Sequence, residues 1–389
     1  MRKISADYIF PISSAPIKNG IIVINDSGKI VNLLSSSSGL EDVEKYEGII
    51  CPGFINTHCH LELSHMKGIV SEGKGLVPFI KELMSQRAAD SDFVQQCIKD
   101  AEAEMMANGI VAVGDISNGS DTFSQKAKRN LHYHTFIELY GFLDNQADEA
   151  FENGRVLGSK LEKQNSIYSL VPHSPYSTSQ QLWEKICQWN IENKGILTFH
   201  NEETEDENKL FLDGSGSLIE LMKWFGLDTS FWKSTGNTSL NSIKGLLPKN
   251  TKTLLVHNTM TTVKELSSLN MELESPYWCL CPNANWYIER KLPNLDNFIK
   301  TGSKITLGTD SLSSNWRLSI LSEMQCIKKH YPEIRTATML SWGTQNGAEL
   351  LGIESNFGTL EKGKSPGIIL ITNSNNGEIT GSSQVVKLI

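Results

Sequence analysis

Two histidines one residue apart, His58 and His60, close the run Cys51-Pro52-Gly53-Phe54-Ile55-Asn56-Thr57-His58-Cys59-His60. In an extended chain, residues two apart share a face, so both imidazoles can converge on one ion while Cys59 points away. Neutral imidazole nitrogens suit a borderline divalent cation such as zinc. Taken alone, His-x-His reads equally as two polar residues at a strand end. Three further strand-like runs remove that reading, because each ends in a metal-type or acid-base residue. They are Leu197 to His200, followed by Asn201-Glu202-Glu203; Leu254 to His257; and Ile305 to Asp310.

Coordinating residues scattered over several strand ends are what a (β/α)8 barrel supplies, since its active site lies on the C-terminal face of the strands. Between about residues 50 and 354 the chain alternates short apolar runs with longer helical patterns, the signature of repeated βα units. Strands are expected at Ile49 to His60, Val111 to Ile116, His134 to Leu139, Tyr168 to Pro172, Leu197 to His200, Thr253 to His257, Trp278 to Pro282 and Ile305 to Thr309. Helices are expected at Phe93 to Asn108, closed by Gly109, and at Gln180 to Asn193, closed by Gly195. Both chain ends are strand-rich, with turn chemistry at Lys18-Asn19-Gly20 and Asp26-Ser27-Gly28. Residues 35–38, four serines, read as a solvated loop.

Composition narrows the function classes. At 389 residues, 39% hydrophobic and 21% charged, the chain has the balance of a globular enzyme with room for a barrel and a small second domain. A formal net charge of -8 argues against nucleic acid as a partner. No apolar run is long enough to span a bilayer, and Asp7 interrupts the N-terminus before a signal core could form. Seven cysteines without scaffold spacing fit free thiols and a cytoplasmic location.

The motifs PGFINTHCH (52–60), PHSPYSTS (172–179), HNEET (200–204), VHN (256–258), CPNAN (281–285) and LGTDSLSSN (307–315), with a weaker tail at 358–364, resemble the amidohydrolase superfamily in its cytosine-deaminase-like branch. The resemblance implies an α/β fold, a (β/α)8 TIM barrel over 51–354 beside a small β-sandwich built from 1–50 and 355–389. It implies that His58, His60, His200 and Asp310 hold one divalent ion, zinc first, with iron or manganese as alternatives. Binuclear relatives carry a bridging lysine or carboxylate after the fourth strand; Pro172-His173-Ser174 stands there in this chain, so one ion is expected.

Roles for the remaining residues follow from the same resemblance and from spacing. His257 is either a fifth ligand or a group that hydrogen-bonds the attacking water and the leaving group, and the second is favoured. Glu203, three residues after His200, leaves the strand end above the ion and can carry a proton to a substrate ring nitrogen. Asp310 has the further task of taking the other proton from the water. His173 occupies the place of a substrate-contacting histidine. Ser311 either orients Asp310 or caps the next turn, and Glu62 either faces the pocket or bonds backbone. Glu202, Glu205, Asp206 and Glu207 are expected to form a solvated acidic face. His65, His132, His134 and His330 take surface or core roles. Trp286 and Tyr287 either stack on a planar base or pack. Trp224, Phe225 and Trp232 belong to an insertion that packs on the barrel rim or roofs the pocket.

The expectation is a metal-dependent hydrolase of non-peptide carbon–nitrogen bonds that removes ammonia from an aminated heterocycle. The resemblance favours an adenosine-type nucleoside such as aminodeoxyfutalosine or S-adenosylhomocysteine. Arg87, Arg290 and Arg317 are candidates for meeting an acidic group on it. The alternatives are an s-triazine chlorohydrolase or cyclic-amide hydrolase on the same site, and a catalytically silent scaffold. Among oligomers, a homodimer is left open.

Overall fold

The computed structural model describes residues 1–35 and 40–389, so the serine loop expected over 35–38 lies, beyond Ser35, outside the described residues. Fifteen strands follow in chain order: β1 (Arg2–Ile9), β2 (Ile17–Lys18), β3 (Ile21–Ile24), β4 (Ile30–Leu34), β5 (Val43–Pro52), β6 (Phe54–Cys59), β7 (Ile110–Ser117), β8 (His132–Leu139), β9 (Ile167–Pro172), β10 (Leu197–Asn201), β11 (Thr253–His257), β12 (Pro276–Leu280), β13 (Lys304–Leu307), β14 (Ile368–Thr372) and β15 (Gln384–Lys387). The run read as one strand from Ile49 to His60 is two strands in different sheets, broken at Gly53. A side chain there would strike Val111 and the Pro366 carbonyl, so the two sheets meet closely at this residue.

Eight parallel strands, β6 to β13, make the TIM barrel as two hydrogen-bonded quartets, β6-β7-β8-β9 and β10-β11-β12-β13. The quartets join at their C-terminal ends. His200 N–H donates to the His173 carbonyl at 2.9 Å, and the N–H groups of Thr309 and Asp310 donate to the His58 carbonyl at 3.0 and 3.1 Å. Both seams are thus closed by the site residues themselves.

Alternation along the strands divides the core. Leu254 and Val256 of β11 enter one cluster with Phe136 and Cys279, whereas Leu255 enters another with the helix residues Leu266 and Leu269. The helices expected near 93–108 and 180–193 are present as Ser91–Ala107 and Gln180–Asn193. Gly109 takes a positive φ of 76° after the first. After the second the left-handed position is Lys194, φ 53°, one residue before Gly195.

Both chain ends form one seven-stranded mixed sheet, β15-β14-β5-β1-β3-β4 with β2 on β1. β5 ties it to the barrel. Ile50 packs in the small sheet's own core with Ile4, Ile9 and Ile368, while Ile49 and Cys51 pack in the barrel-side core. Among the described residues no helix is long and apolar enough to cross a membrane.

Candidate metal and active site

The C-terminal ends of the barrel strands bring together every residue to which the sequence assigned an ion or a proton. His58 is the penultimate residue of β6 and His60 follows the strand, His200 lies in β10, His257 ends β11, and Asp310 follows β13. One donor atom from each of His58, His200, His257 and Asp310 lies within 4.8 Å of every other. Nε2 of His60 stands 3.2 Å from Nε2 of His58 and 3.4 Å from Oδ1 of Asp310. All five residues are buried.

Backbone geometry explains how two of them turn inward. Strict alternation would send His257 to the side of Leu255, among helix residues. A left-handed φ of 71° directs it instead toward His200, ring centroids 5.3 Å apart. Asp310 has a φ of 55° at the corresponding point of the last strand. Gly308 permits the approach of β13 to β6, since a Cβ there would lie 2.8 Å from His58 Cβ and 2.9 Å from its carbonyl oxygen.

The donor chemistry fits a divalent ion. His200 Nδ1 donates to the His173 carbonyl at 3.0 Å and His257 Nδ1 to Asn285 Oδ1 at 3.4 Å, which leaves Nε2 of each ring with its lone pair free. Burial lowers the pKa of His58, His60, His200 and His257, that of His60 to about 4, so the rings are neutral in the form that binds metal. Asp310 is pushed up by burial. The hydrogen bond to His58 and the charges of His60 and His257 outweigh that, holding it well below the usual carboxylate range. Imidazole lone pairs facing one carboxylate, with His58 Nδ1 unpartnered besides, make a site for a single divalent cation.

Around this centre, Glu203 is buried with Oε1 at 3.8 Å from His257 Nε2. Burial, then the charges of Asp310 and Glu289, raise its carboxyl well above the ordinary carboxylate range. His173 packs on His200 with centroids 4.8 Å apart and bonds Ser177 Oγ through Nδ1 at 2.6 Å. Burial lowers its pKa to about 4.

Several expectations change. Ser311 does not reach Asp310; Ser314 does, its Oγ donating to Oδ2 at 2.5 Å, while Ser311 bonds the hydroxyls of Ser313 and Ser314. Glu202 and Glu207 are fully buried and no part of a solvated face. Glu62 bonds backbone, accepting Asn118 N–H at 3.0 Å. His65 bonds the Arg87 carbonyl and His134 bonds Ser169, both structural. Tyr287 donates to the Val70 carbonyl and Trp286 packs on His330, so both aromatics serve packing. Trp232 packs on Phe211 and donates to the Leu210 carbonyl within its own insertion. Arg290 is paired with Glu72 at 2.7 Å.

Sequence reasoning missed Glu138. It is the penultimate residue of β8, is buried, and has Oε1 at 3.6 Å from His200 Nδ1 and Oε2 bonded to Asn118 Nδ2 at 2.9 Å. With His60 and His200 it forms a second group whose donor atoms lie within 4.8 Å of one another. A glutamate next to the C-terminal end of a barrel strand, directly after the apolar pair Phe136-Ile137, was the signal that could have found it.

The sequence pattern of the amidohydrolase family matches residues 49–388. The chain belongs to the amidohydrolase family. It is similar to an adenosine deaminase of Helicobacter pylori, 25% identical over 320 residues that cover 81% of this chain and 77% of the relative. Among solved structures it resembles the aminofutalosine deaminase of Helicobacter pylori in complex with methylthio-coformycin, at TM-score 0.85 and 21% identity, covering 99% of this chain and 97% of that one. It also resembles an atrazine chlorohydrolase from Arthrobacter aurescens complexed with zinc, at TM-score 0.75 and 16% identity, covering 95% of this chain and 86% of that one. This amidohydrolase is therefore an enzyme acting on non-peptide carbon–nitrogen bonds, and its ion site lies where a TIM barrel places its chemistry.

Proposed function

We propose that this amidohydrolase removes ammonia by hydrolysis from an adenosine-type nucleoside, aminodeoxyfutalosine or S-adenosylhomocysteine being the forms first considered, with zinc as its ion. The observation that carries the reading is a buried Glu203 whose carboxylate faces His257 at 3.8 Å beside the cluster of His58, His60, His200 and Asp310. The relatives named as deaminases support it, and a zinc-bound relative supports the metal. We assign 51–354 to the catalytic barrel, 1–50 and 355–389 to the smaller domain, and the protein to the cytoplasm. Its seven free cysteines support that compartment.

In this assignment His58, His60, His200 and Asp310 would hold the ion. When bound, it supplies a Lewis acid that makes water a nucleophile at neutral pH. Glu203 gives the proton on its carboxyl to a ring nitrogen of the base, which makes the amidine carbon electrophilic. Asp310, fixed through Oδ2 by Ser314, takes a proton from the attacking water at Oδ1. His257 offers Nε2 to the same volume, and its Asn285 contact holds the ring in place. His173, anchored by Ser177, presents its outer edge to the substrate. Burial of His58, His60, His200, Glu203, His257 and Asp310 excludes bulk water and strengthens each interaction.

A second reading, halide release from an s-triazine, is favoured by the similarity to the atrazine chlorohydrolase. Ammonia release assayed across adenosine-type nucleosides, guanine and pterins, with chloride release from a chlorotriazine, separates the two. Deamination of a nucleoside well above the others supports the proposal. Chloride release with no nucleoside turned over would replace it, and a metal-loaded protein inactive on all would indicate the scaffold reading.

A further inference from the structure

Behind the ion site lies a buried ion pair that the proposed chemistry leaves unused. Asp115 of β7 and Lys126, in the short helix Phe123–Lys126, meet at 2.5 Å, both side chains excluded from solvent. Lys126 Nζ also donates to Ser117 Oγ at 2.9 Å and Thr135 Oγ1 at 3.2 Å. Removing two charges from water makes such a pair a poor device for stability alone.

The pair's other contact suggests its use. Asp115 Oδ1 accepts the main-chain N–H of Leu61 at 2.9 Å, and Leu61 directly follows His60. Leu61 begins the 3-10 helix Leu61–Met66, whose N-cap position is His60 itself. A cap residue normally satisfies the first N–H groups with its own side chain. His60 makes no such bond, because its ring is turned to His58 and Asp310. Asp115 reaches across the sheet, where it pairs in register with Cys59, and supplies the missing acceptor.

We propose that Asp115, locked by Lys126, is a positioning residue that sets the direction in which His60 leaves β6 and thereby the hold on the ion. The division of labour is one oxygen to Leu61 and the other to Lys126, so the acceptor cannot rotate away from the peptide. This rests on the ion site assigned above.

The test reads release of zinc into a chelator, and the absorption spectrum of cobalt-substituted protein, alongside circular dichroism and thermal unfolding. D115A/K126M removes both charges together and leaves no unpaired buried ion; D115N/K126M does the same but keeps an amide oxygen for Leu61. Zinc should leave D115A/K126M about 10–100-fold faster than wild type with a shifted cobalt spectrum, the range seen when an outer partner of a ligand is lost. D115N/K126M should stay within about 3-fold of wild type and keep its spectrum, well short of that range. Equal release from wild type and both doubles, or equally faster release from both doubles, would overturn the proposal. Asp115→Glu keeps both charges but moves the acceptor by one methylene. It should also release zinc faster, and wild-type release from it would overturn the proposal even if D115A/K126M does not fold. A wild-type protein that binds no metal would instead fail the ion-site reading.

Discussion

Glu207 accepts the main-chain N–H of Glu203 at 3.1 Å on one carboxylate oxygen and that of Glu202 at 3.1 Å on the other. A third bond, from Ser239 Oγ at 2.5 Å, fixes the carboxylate from the neighbouring insertion. The loop that carries the proposed proton donor is therefore tied down by Glu207. Replacing Glu207 by Ala leaves two buried N–H groups unpaired, at a cost of roughly 1–3 kcal/mol each. Turnover should fall about 10-fold or more as Glu203 loses its place, since small misplacements can cost about 100-fold. Metal content should stay at the wild-type level. Steady-state rates and elemental analysis check this, and wild-type turnover would contradict it.

The ion site predicts one divalent ion per chain, because the donor atoms converge on a single point between His58 and Asp310. His60→Ala should weaken metal binding by more than about 100-fold, beyond the loss typical of an outer partner. Elemental analysis and competition with a chelator measure both. Two tightly held ions per chain would show that the group of His60, Glu138 and His200 is a site in its own right.

Gly308 is the point of closest approach between the last and first barrel strands. Gly308→Ala would place a methyl group 2.8 Å from both His58 Cβ and Cys279 Sγ. Overpacking of this kind costs about 1–3 kcal/mol, and here the strain falls on His58 of the proposed ion site. Urea unfolding should show the loss, and metal retention should fall with it. An unchanged midpoint would contradict the account.

Burial raises the Glu323 carboxyl to about 8 from an ordinary 4.5, against hydrogen bonds from Asn283 and Asn315 that lower it. Between those values the folded state keeps a proton that the unfolded state has lost, so stability falls as pH rises through the window. Buried histidines such as His60 and His173 act in the opposite direction, but only between about 4 and their ordinary 6.5. From pH 6.5 to 8, then, the fall should be open to view, and Glu323→Gln should flatten it by about 1 kcal/mol per pH unit. Urea unfolding of chelator-treated wild type and variant at both pH values measures this. Parallel pH dependences would contradict it.

The barrel was legible in the sequence because short apolar runs alternate with helical patterns and four of those runs stop at a residue with chemistry. His58, His60, His200, His257 and Asp310 could be gathered from those stops alone. The stop at Pro52-Gly53 was legible as turn chemistry, but the change of sheet that it marks was not, since apolar residues stand on both sides of it. Burial of Glu202 and Glu207 was hidden for a related reason. Five acidic residues among the six from 202 to 207 look solvated, and only the left-handed turn at Glu202 (φ 45°) with the return of the chain at Ser239 encloses Glu202 and Glu207. Of the two roles open to Ser311, orienting Asp310 falls instead to Ser314, three residues on. The loop curls back on itself, so Ser314 and not the immediate neighbour reaches the carboxylate. Asp115 and Lys126 are linked only through the tertiary fold, and nothing in their spacing announces the pair.

The central claim, that Glu203 carries the proton that makes the substrate carbon electrophilic, meets its most direct test in Glu203→Gln. The amide keeps the size of the side chain but cannot deliver a proton. Glu203 is no ligand in the proposed site, so metal content should be unchanged. The measurement is the turnover number for ammonia release from the best nucleoside substrate, taken on protein shown to hold its ion. A fall of about 10²–10⁴-fold, roughly 3–5 kcal/mol of barrier, is the result predicted. Retention of more than about a tenth of wild-type turnover would contradict the assignment.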